Sequence, residues 1–323
     1  MRWWKFAVLA LALAALAALS ARPLGLEAAG RVQVVGVLSN AAVALPAYDG
    51  FRAGLKRLGG VEVAYLFRGV ASGDDALAAE ARRLVDARPD LILALTTRAA
   101  SAALDAGRER NVPVIFAPAS NPLQTGLVHT LRQPGGRATG VTFGTQEARR
   151  LEWLMRLMPG LSGVYVPYNR TDPSPLASLP VLETAARTLG LSVVFDPVDG
   201  WEGLKAALPH LPEGTRAILV PADPEIASHA HELAEFAIGR GIALSMPHRT
   251  GVEQGALMSY GFDLREVGEQ AAHQGLLVLS GVPPAEIPVE MAEFSLSINL
   301  DTARRIGLEI PPAILRQAHV VAR

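Results

Sequence analysis

The strongest constraint on the fold is a regular alternation of short β-branched runs with longer amphipathic segments. Residues 31–38 form a β-branched run that is bounded by Ser39 and Asn40, and residues 46–58 carry apolar residues at helical spacing before two glycines. These patterns predict a buried strand followed by a helix. Helical crossovers of this length join parallel strands. The sequence therefore predicts an open, doubly wound parallel sheet of the α/β class.

The alternation occurs twice along the chain, with a match in element order and not in residues. In the first half, the further predicted elements are strand 61–67, helix 74–87, strand 90–95, helix 98–110 and strand 112–117. In the second half, they are strand 163–167, helix 175–189, strand 191–195, helix 201–208, strand 217–220, helix 226–239 and strand 242–246. A chain of 323 residues exceeds the usual size of one hydrophobic core. We therefore predict two doubly wound parallel-sheet lobes.

Three segments with strand-like residues are predicted to cross between the lobes. They are residues 139–144, 256–261 and 294–300. Three crossings require lobes built from separated parts of the sequence, so a helix at residues 264–279 would return to the first lobe. The predicted division is 31–142 plus 263–292 for lobe 1 and 145–258 plus 293–323 for lobe 2.

Residues 1–29 are predicted to be a signal peptide or an N-terminal anchor. A basic segment at residues 1–5 precedes an uncharged apolar run from residue 6 to residue 19, and small residues follow up to Ala21. This is the three-part pattern of an export signal, and the run is shorter than the roughly twenty residues of a transmembrane helix. An uncleaved anchor over residues 6–26 is the alternative. In both cases we expect the folded part to be periplasmic or extracytoplasmic.

Composition and motifs argue against several classes of function. The chain has no cysteine, which removes disulfides, thiolate metal sites, a cysteine nucleophile and a lipid-modified N-terminal cysteine. Its formal net charge of -1 argues against nucleic acid, whose binding domains usually carry a basic face. The sequence contains no GxGxxG turn after the first strand, no GxSxG elbow and no P-loop motif. We therefore predict no enzyme, no cofactor, no metal and no nucleic-acid partner.

Small polar side chains follow most of the predicted strands. Ligands of open parallel sheets bind beyond the carboxyl ends of the strands, so two facing lobes predict one small-molecule site between them. The candidate ligand-binding residues are Ser39, Asn40, Tyr48, Thr96, Thr97, Ser120, Asn121, Tyr168, Asn169, Asp223, His248 and Tyr260. Capping of a helix is the alternative role for Thr96, Thr97 and Ser120. Helix N-termini, with Arg98 beside them, favour a carboxylate or phosphate on the ligand.

Four parts of the sequence also resemble a known family. They are residues 121–128 with 133–141, residues 221–223, residues 255–264 and residues 298–312. They resemble the substrate-binding proteins of ABC importers, in the family often described as tryptophan/tyrosine-binding, and the similarity covers residues 32–315. The resemblance implies a type I periplasmic-binding fold and a receptor that hands a small-molecule ligand to an ABC permease in the inner membrane. The ligand positions that it implies are Ser39, Thr96, Thr97, Ser120, Asn121, Tyr168, Asn169, Asp223 and Tyr260.

Three departures from the family pattern bear on the ligand. Family members often have aspartate at the position of Asn121 and commonly place serine and acidic residues where residues 247–249 are Pro-His-Arg. The loop at residues 168–175 carries Arg170 where the family usually has small polar residues. Loss of acids and gain of arginine weaken capture of an ammonium group and favour an anion. We expect a monomer that binds a small polar ligand, amino-acid-like or anionic.

Two alternatives stay open at the level of sequence. One is a sensory or regulatory module of the same fold that signals lobe closure to a membrane partner. The other is an exported enzyme that uses the cleft between the lobes, because an acid–base pair assembled from distant residues leaves no local motif.

Overall fold

Two α/β lobes, each built on one sheet, make up the computed structural model, which describes residues 31–144 and 146–322. The predicted signal peptide or anchor lies outside the described residues. Within them, no helix is both long enough and apolar enough to cross a membrane.

Thirteen strands and twelve α-helices are defined in the described residues. The strands are β1 (Gln33–Leu38), β2 (Val63–Leu66), β3 (Leu91–Ala94), β4 (Val114–Ala119), β5 (Ala138–Thr142), β6 (Gly163–Asn169), β7 (Ser192–Val198), β8 (Ala217–Leu219), β9 (Ala243–Ser245), β10 (Met258–Gly261), β11 (Glu290–Met291), β12 (Ser295–Asn299) and β13 (Ala318–Ala322). The helices are α1 (Leu45–Leu58), α2 (Asp74–Asp86), α3 (Thr97–Ala106), α4 (Glu147–Leu157), α5 (Pro173–Leu189), α6 (Gly200–Ala207), α7 (Pro224–Ala227), α8 (Ala230–Gly239), α9 (Arg249–Glu253), α10 (Leu264–Leu279), α11 (Leu300–Arg305) and α12 (Pro312–Leu315).

The first sheet has the strand order β11-β5-β4-β3-β1-β2, and all of its pairs are parallel. Every residue of β3 and β4 is buried. Strands covered by helices on both faces need apolar residues on both sides, so they form continuous apolar runs without alternation. The prediction of a parallel sheet from these apolar runs is therefore confirmed for the first lobe.

Helix α10 packs on α1 at very close range, although more than two hundred residues separate them. A Cβ atom at Gly268 would lie 1.9 Å from the carbonyl oxygen of Ala47, and one at Gly50 would lie 2.0 Å from that of Arg265. The two backbones are therefore in direct contact, and these positions accept no side chain. The residues of α10 share one apolar core with strands β1 and β3 of the first sheet.

The second sheet has the strand order β13-β12-β10-β9-β8-β6-β7 and is mixed. Strand β12 pairs antiparallel with β10, and β13 pairs parallel with β12. Strand β10 leaves this sheet towards the first lobe and β12 enters from it, so the two neighbouring strands must run in opposite directions. The prediction of a parallel sheet therefore applies to the five strands β6 to β10, with two reversed strands added at the edge.

The segments predicted as crossings are mostly strands of the two sheets. Residues 139–142 belong to β5, residues 258–261 to β10 and residues 295–299 to β12. The chain changes lobes just after β5, just after β10 and just before β12. These three places carry Phe143, Phe262 and Phe294. Their rings form a chain, with centroids 4.9 Å apart for Phe143 and Phe262 and 6.1 Å apart for Phe262 and Phe294.

The predicted helix 226–239 is wrong, because it is divided into α7 and α8. Between them, the hydroxyl of Ser228 donates to the carbonyl oxygen of Pro224 (2.8 Å), and the ring of His229 stacks on Trp201 at 4.5 Å. Helix α4 was not predicted at all. Its buried face includes the charged residues Glu147 and Arg150, which hide its apolar periodicity. The residue limits predicted for the two lobes stay a prediction.

Candidate functional site

A cavity of about 40 Å³ lies between the two lobes at the carboxyl ends of their strands. Most of its lining side chains are apolar, and both lobes contribute to it. The lining residues are Val43, Ala44, Leu95, Thr96, Thr97, Pro118, Phe143, Ser174, Ala222, Asp223, Pro224, Pro247, His248, Phe262 and Leu264. This is the position in which open parallel sheets bind ligands.

Four of the residues proposed from the sequence line this cavity, namely Thr96, Thr97, Asp223 and His248. The other eight do not. Ligand contact therefore stays a prediction for all twelve, and the four cavity-lining residues are placed to make it.

Thr96 and Thr97 present the first turn of α3 to the cavity. The hydroxyl of Thr96 accepts a hydrogen bond from the backbone N–H of Ala99 (3.0 Å) and donates one to the side-chain oxygen of Asn40. Thr96 is thus the N-cap of α3, as its alternative role required. The hydroxyl of Thr97 accepts from the backbone N–H of Ser120 at 3.0 Å. Asn40 and Ser120 therefore position the two threonines from behind.

The remaining candidates of the first lobe serve local structure. The hydroxyl of Ser39 donates to the carbonyl oxygen of Ala41 at 2.9 Å. The side-chain amide of Asn121 donates to Gln124 at 2.9 Å, and its backbone has a φ of 22°. The ring of Tyr48 turns away from the cavity and packs on Tyr65 and Phe67, with centroid distances of 5.6 and 5.3 Å.

Asp223 is the carboxyl group of the cavity wall, and it is 1% exposed. Its Oδ2 accepts from the backbone N–H of Asn169 (2.8 Å), and its Oδ1 caps α7 by accepting from that of Ile226 (3.1 Å). Burial, followed by the negative charge of Asp172, raises the pKa of Asp223 to about 7. The residue is therefore half protonated near neutral pH.

Asp172 lies beside Asp223 and caps the long helix α5. Its Oδ1 accepts from the backbone N–H of Ser174 at 2.8 Å. Burial raises the pKa of Asp172, and the guanidinium of Arg98 acts in the opposite direction. The cavity edge thus holds two buried carboxyl groups with one arginine beside them.

His248 is buried in the second-lobe wall and is neutral at pH 7. Burial, followed by the positive charge of Arg150, lowers its pKa to about 4. Its Nδ1 has no hydrogen-bond partner among the described residues. Its ring meets the edge of Phe262 at a centroid distance of 6.1 Å. An uncharged imidazole with a free nitrogen accepts or donates one hydrogen bond, depending on its tautomer.

The other candidate residues of the second lobe do not line the cavity. The side-chain amide of Asn169 donates to Glu225 at 3.0 Å. Tyr260 lies between Trp153 and Phe294, with ring centroids 6.1 Å away in each case. Tyr168 is a half-buried residue of β6 that does not line the cavity. These residues support the fold of the second lobe at the site.

The sequence did not indicate two buried charged residues on α4, Glu147 and Arg150. Nη2 of Arg150 donates to the carbonyl oxygens of Val220 (2.7 Å), the residue after β8, and of Ser245 (2.9 Å), the last residue of β9. Burial lowers the pKa of Arg150 to about 10 and raises that of Glu147. Arg150 therefore ties together two of the strand ends beneath the cavity. The only sequence signal was a charged residue on an otherwise apolar helix face.

The described residues contain no group of three histidine, aspartate or glutamate side chains that could hold a metal ion. The arrangement of this site is a mostly apolar chamber with one titratable carboxyl group, one neutral imidazole and the first turns of several helices.

Three comparisons with known proteins agree with this geometry. The curated tyrosine-binding protein of Clostridioides difficile (strain R20291) is 26% identical over 230 residues, which are 71% of this chain and 66% of that relative. The chain thus spans just under two thirds of its length. A crystal structure of an ABC domain in complex with L-Trp from Streptococcus pneumoniae aligns with a TM-score of 0.83 at 23% identity, over 91% of this chain and 100% of that one.

A conserved domain protein from Vibrio cholerae O1 biovar eltor aligns with a TM-score of 0.84 at 23% identity, again over 91% of this chain and all of that one. These two likenesses confirm the two-lobed fold. A family model described as ABC transporter substrate binding protein matches residues 31–322, nearly all of the described chain. The resemblance inferred from the sequence is confirmed, and the chain belongs to the ABC transporter substrate-binding protein family.

Proposed function

We propose that this chain is the extracytoplasmic receptor of an ABC importer, which closes its lobes over one small molecule and presents it to a membrane permease. The observation that carries the proposal is the cavity enclosed by strand ends of both lobes. A site divided in this way couples ligand binding to lobe closure, because only the closed form makes both sets of contacts.

The proposed ligand has an apolar body and one polar head, and is amino-acid-like or anionic. Apolar side chains cover most of the wall, which suits the body. Thr97, Ser174 and Leu264 lie in the first turns of α3, α5 and α10 and all line the cavity. Helix N-termini favour a carboxylate. A relative named for tyrosine and a neighbour solved with L-Trp support the same head group.

Binding without catalysis is part of the proposal. The polar groups of the wall are already engaged in structural hydrogen bonds, as for Thr96, Thr97 and both oxygens of Asp223. The Nδ1 atom of the neutral His248 has no hydrogen-bond partner among the described residues, so no hydroxyl nucleophile is bonded to it there.

A thermal-shift screen tests the proposal. Purified protein is heated with amino acids, carboxylates, nucleosides or sugars, since a ligand at one hundred times its Kd adds about 2.7 kcal/mol of stability. We expect a concentration-dependent rise in Tm with amino acids or carboxylates. Mass spectrometry of the incubated ligand serves as the control, because chemical conversion would indicate an enzyme. No rise with any of the four classes would contradict the proposal.

A further inference from the structure

Arg98 joins the two lobes next to the cavity. From the first turn of α3, its Nη2 donates to the carbonyl oxygen and to the hydroxyl of Thr171, both at 2.9 Å. Its Nε lies 3.4 Å from Oδ2 of Asp172. On its own lobe, Nη1 lies 3.1 Å from Oδ1 of Asp74. We call these contacts to Thr171 and Asp172 the Arg98 bridge.

The Arg98 bridge is more than a solvated surface ion pair. The side chain of Arg98 is 17% exposed and that of Asp172 is 5% exposed. Hydrogen bonds that involve a charged group and are partly shielded from water are stronger than neutral or fully exposed ones. The exposed Asp74 contacts the same guanidinium from the first-lobe side.

A second contact closes the cavity at another point. The backbone N–H of Val43 in the first lobe donates to the hydroxyl of Ser228 in the second lobe at 3.3 Å. Val43 also packs against an apolar cluster of the second lobe, and Ala222 packs into the core of the first. Both residues line the cavity. The lobes are therefore in contact around the cavity, and the structure is a closed one.

The space inside the closed cleft is small. A cavity of about 40 Å³ holds roughly three waters at about 10–15 Å³ each. Part of its wall is the stacked pair Phe143 and Phe262, both buried, with ring centroids 4.9 Å apart. Even a short amino acid or carboxylate is larger than this space, and an indole or phenol ring that carries an amino-acid head exceeds it the most. The larger the body of the ligand, the further the lobes must separate to hold it.

We propose that the cleft selects ligands with a short aliphatic body, which separate the lobes least, and that Arg98, which does not line the cavity, is the positioning residue that enforces this size limit. The proposal rests on the proposed function of the cleft as the ligand site. A short ligand separates the lobes least, so its affinity includes most of the free energy of the Arg98 bridge. A bulky ligand moves Arg98 away from Thr171, and N–H···O hydrogen bonds are confined to donor–acceptor distances of about 2.7–3.2 Å. The bridge therefore discriminates by ligand size without touching the ligand.

The test compares ligands that share a head group and differ in body. One series is alanine, valine, tyrosine and tryptophan, and the other is isobutyrate and indole-3-propionate. Isothermal titration calorimetry gives Kd for the full chain and for Arg98→Ala, Arg98→Lys and Arg110→Ala. Arg110 is the matched control, because it also bonds an aspartate and a carbonyl oxygen, Asp86 and Val85 at 3.1 Å each, but within one lobe.

In the series that binds, we expect the aliphatic members to bind at least tenfold tighter than the aromatic members. The ratio of the aromatic Kd to the aliphatic Kd is the quantity compared between variants. Arg98→Ala reduces that ratio about fivefold or more, because it weakens binding of the aliphatic ligands. Arg110→Ala leaves the ratio unchanged. Arg98→Lys keeps the charge and loses the paired donation to Thr171, so it falls between the two. If Arg98→Ala lowers Tm in the absence of ligand, Arg98→Lys is the variant used to test the proposal.

Two results would overturn the size limit alone. They are tight binding of the aromatic members by the unaltered protein, and a ratio that Arg98→Ala and Arg98→Lys leave unchanged. Either result keeps the cleft as a ligand site. Absence of binding in both series would overturn the size limit and the proposed ligand class together.

Discussion

Ionisation of Asp223 is expected to destabilise the folded protein at neutral pH. Asp223 is 1% exposed, and burial, followed by the charge of Asp172, raises its pKa to about 7 from an ordinary value of 3.8. Between these two values the folded state keeps a proton that the unfolded chain has lost. The contribution of Asp223 to the free energy of unfolding therefore falls as pH rises from about 4 to about 7 and levels off above. A difference of about three pKa units corresponds to on the order of 4 kcal/mol.

Comparison with Asp223→Ser isolates this contribution. Serine keeps an N-cap oxygen for the N–H of Ile226 and has no proton to lose in this range. Urea unfolding of both proteins between about pH 4 and pH 8 gives the difference in their free energies of unfolding. Glu147 titrates in both proteins, so its contribution largely cancels, whereas the coupling of Asp172 to Asp223 is part of the measured difference. We expect the free energy of unfolding of the unaltered protein, relative to that of Asp223→Ser, to fall by up to about 1.4 kcal/mol for each unit that the pH rises. A difference that stays constant with pH would refute the raised pKa.

Three further outcomes are expected. Gly268→Ala loses about 1–3 kcal/mol or more of unfolding free energy in urea, because its Cβ would meet the α1 backbone at 1.9 Å. Gly239→Ala is its control, since nothing lies within 4 Å of that Cβ, and an equal loss there would contradict the packing argument. Thr97→Val loses about 1–3 kcal/mol by leaving the Ser120 N–H unpaired, and an unchanged Tm would contradict this. His248, with a pKa of about 4, shows no NMR titration between about pH 8 and pH 5, and its own contribution to the free energy of unfolding falls as pH is lowered from about 6.5 to about 4. A midpoint near 6.5 would contradict its burial.

The order of strands and helices was predictable because each element depends on a local pattern of apolar residues. Strand β3 was predicted at residues 90–95 and is found at Leu91–Ala94, where four buried apolar residues in a row have no interpretation on a solvent-exposed face. The reversal of β12 was not predictable in this way. The direction of β12 depends on the lobe from which the chain enters the sheet. The residues of Ser295–Asn299 do not indicate that lobe.

The position of the site was predictable, and its lining was only partly so. The end of a strand can be found in the sequence, which placed Thr96, Thr97, Asp223 and His248 at the cavity. The direction of a side chain depends on partners far away in the sequence. Tyr48 stands near the start of α1, but its ring finds aromatic neighbours on and beyond β2.

The contact between α1 and α10 sets the order in which the molecule can be completed. These helices touch backbone to backbone, yet strands β6 to β10 are all encoded between them. A nascent chain that has emerged only as far as β5 lacks the helix that covers one face of its first sheet. The parallel strands of the second lobe are contiguous in sequence and can assemble earlier. The lobe that begins the protein is therefore finished late, and cleavage between β10 and α10 would strip it of a helix instead of releasing two intact halves.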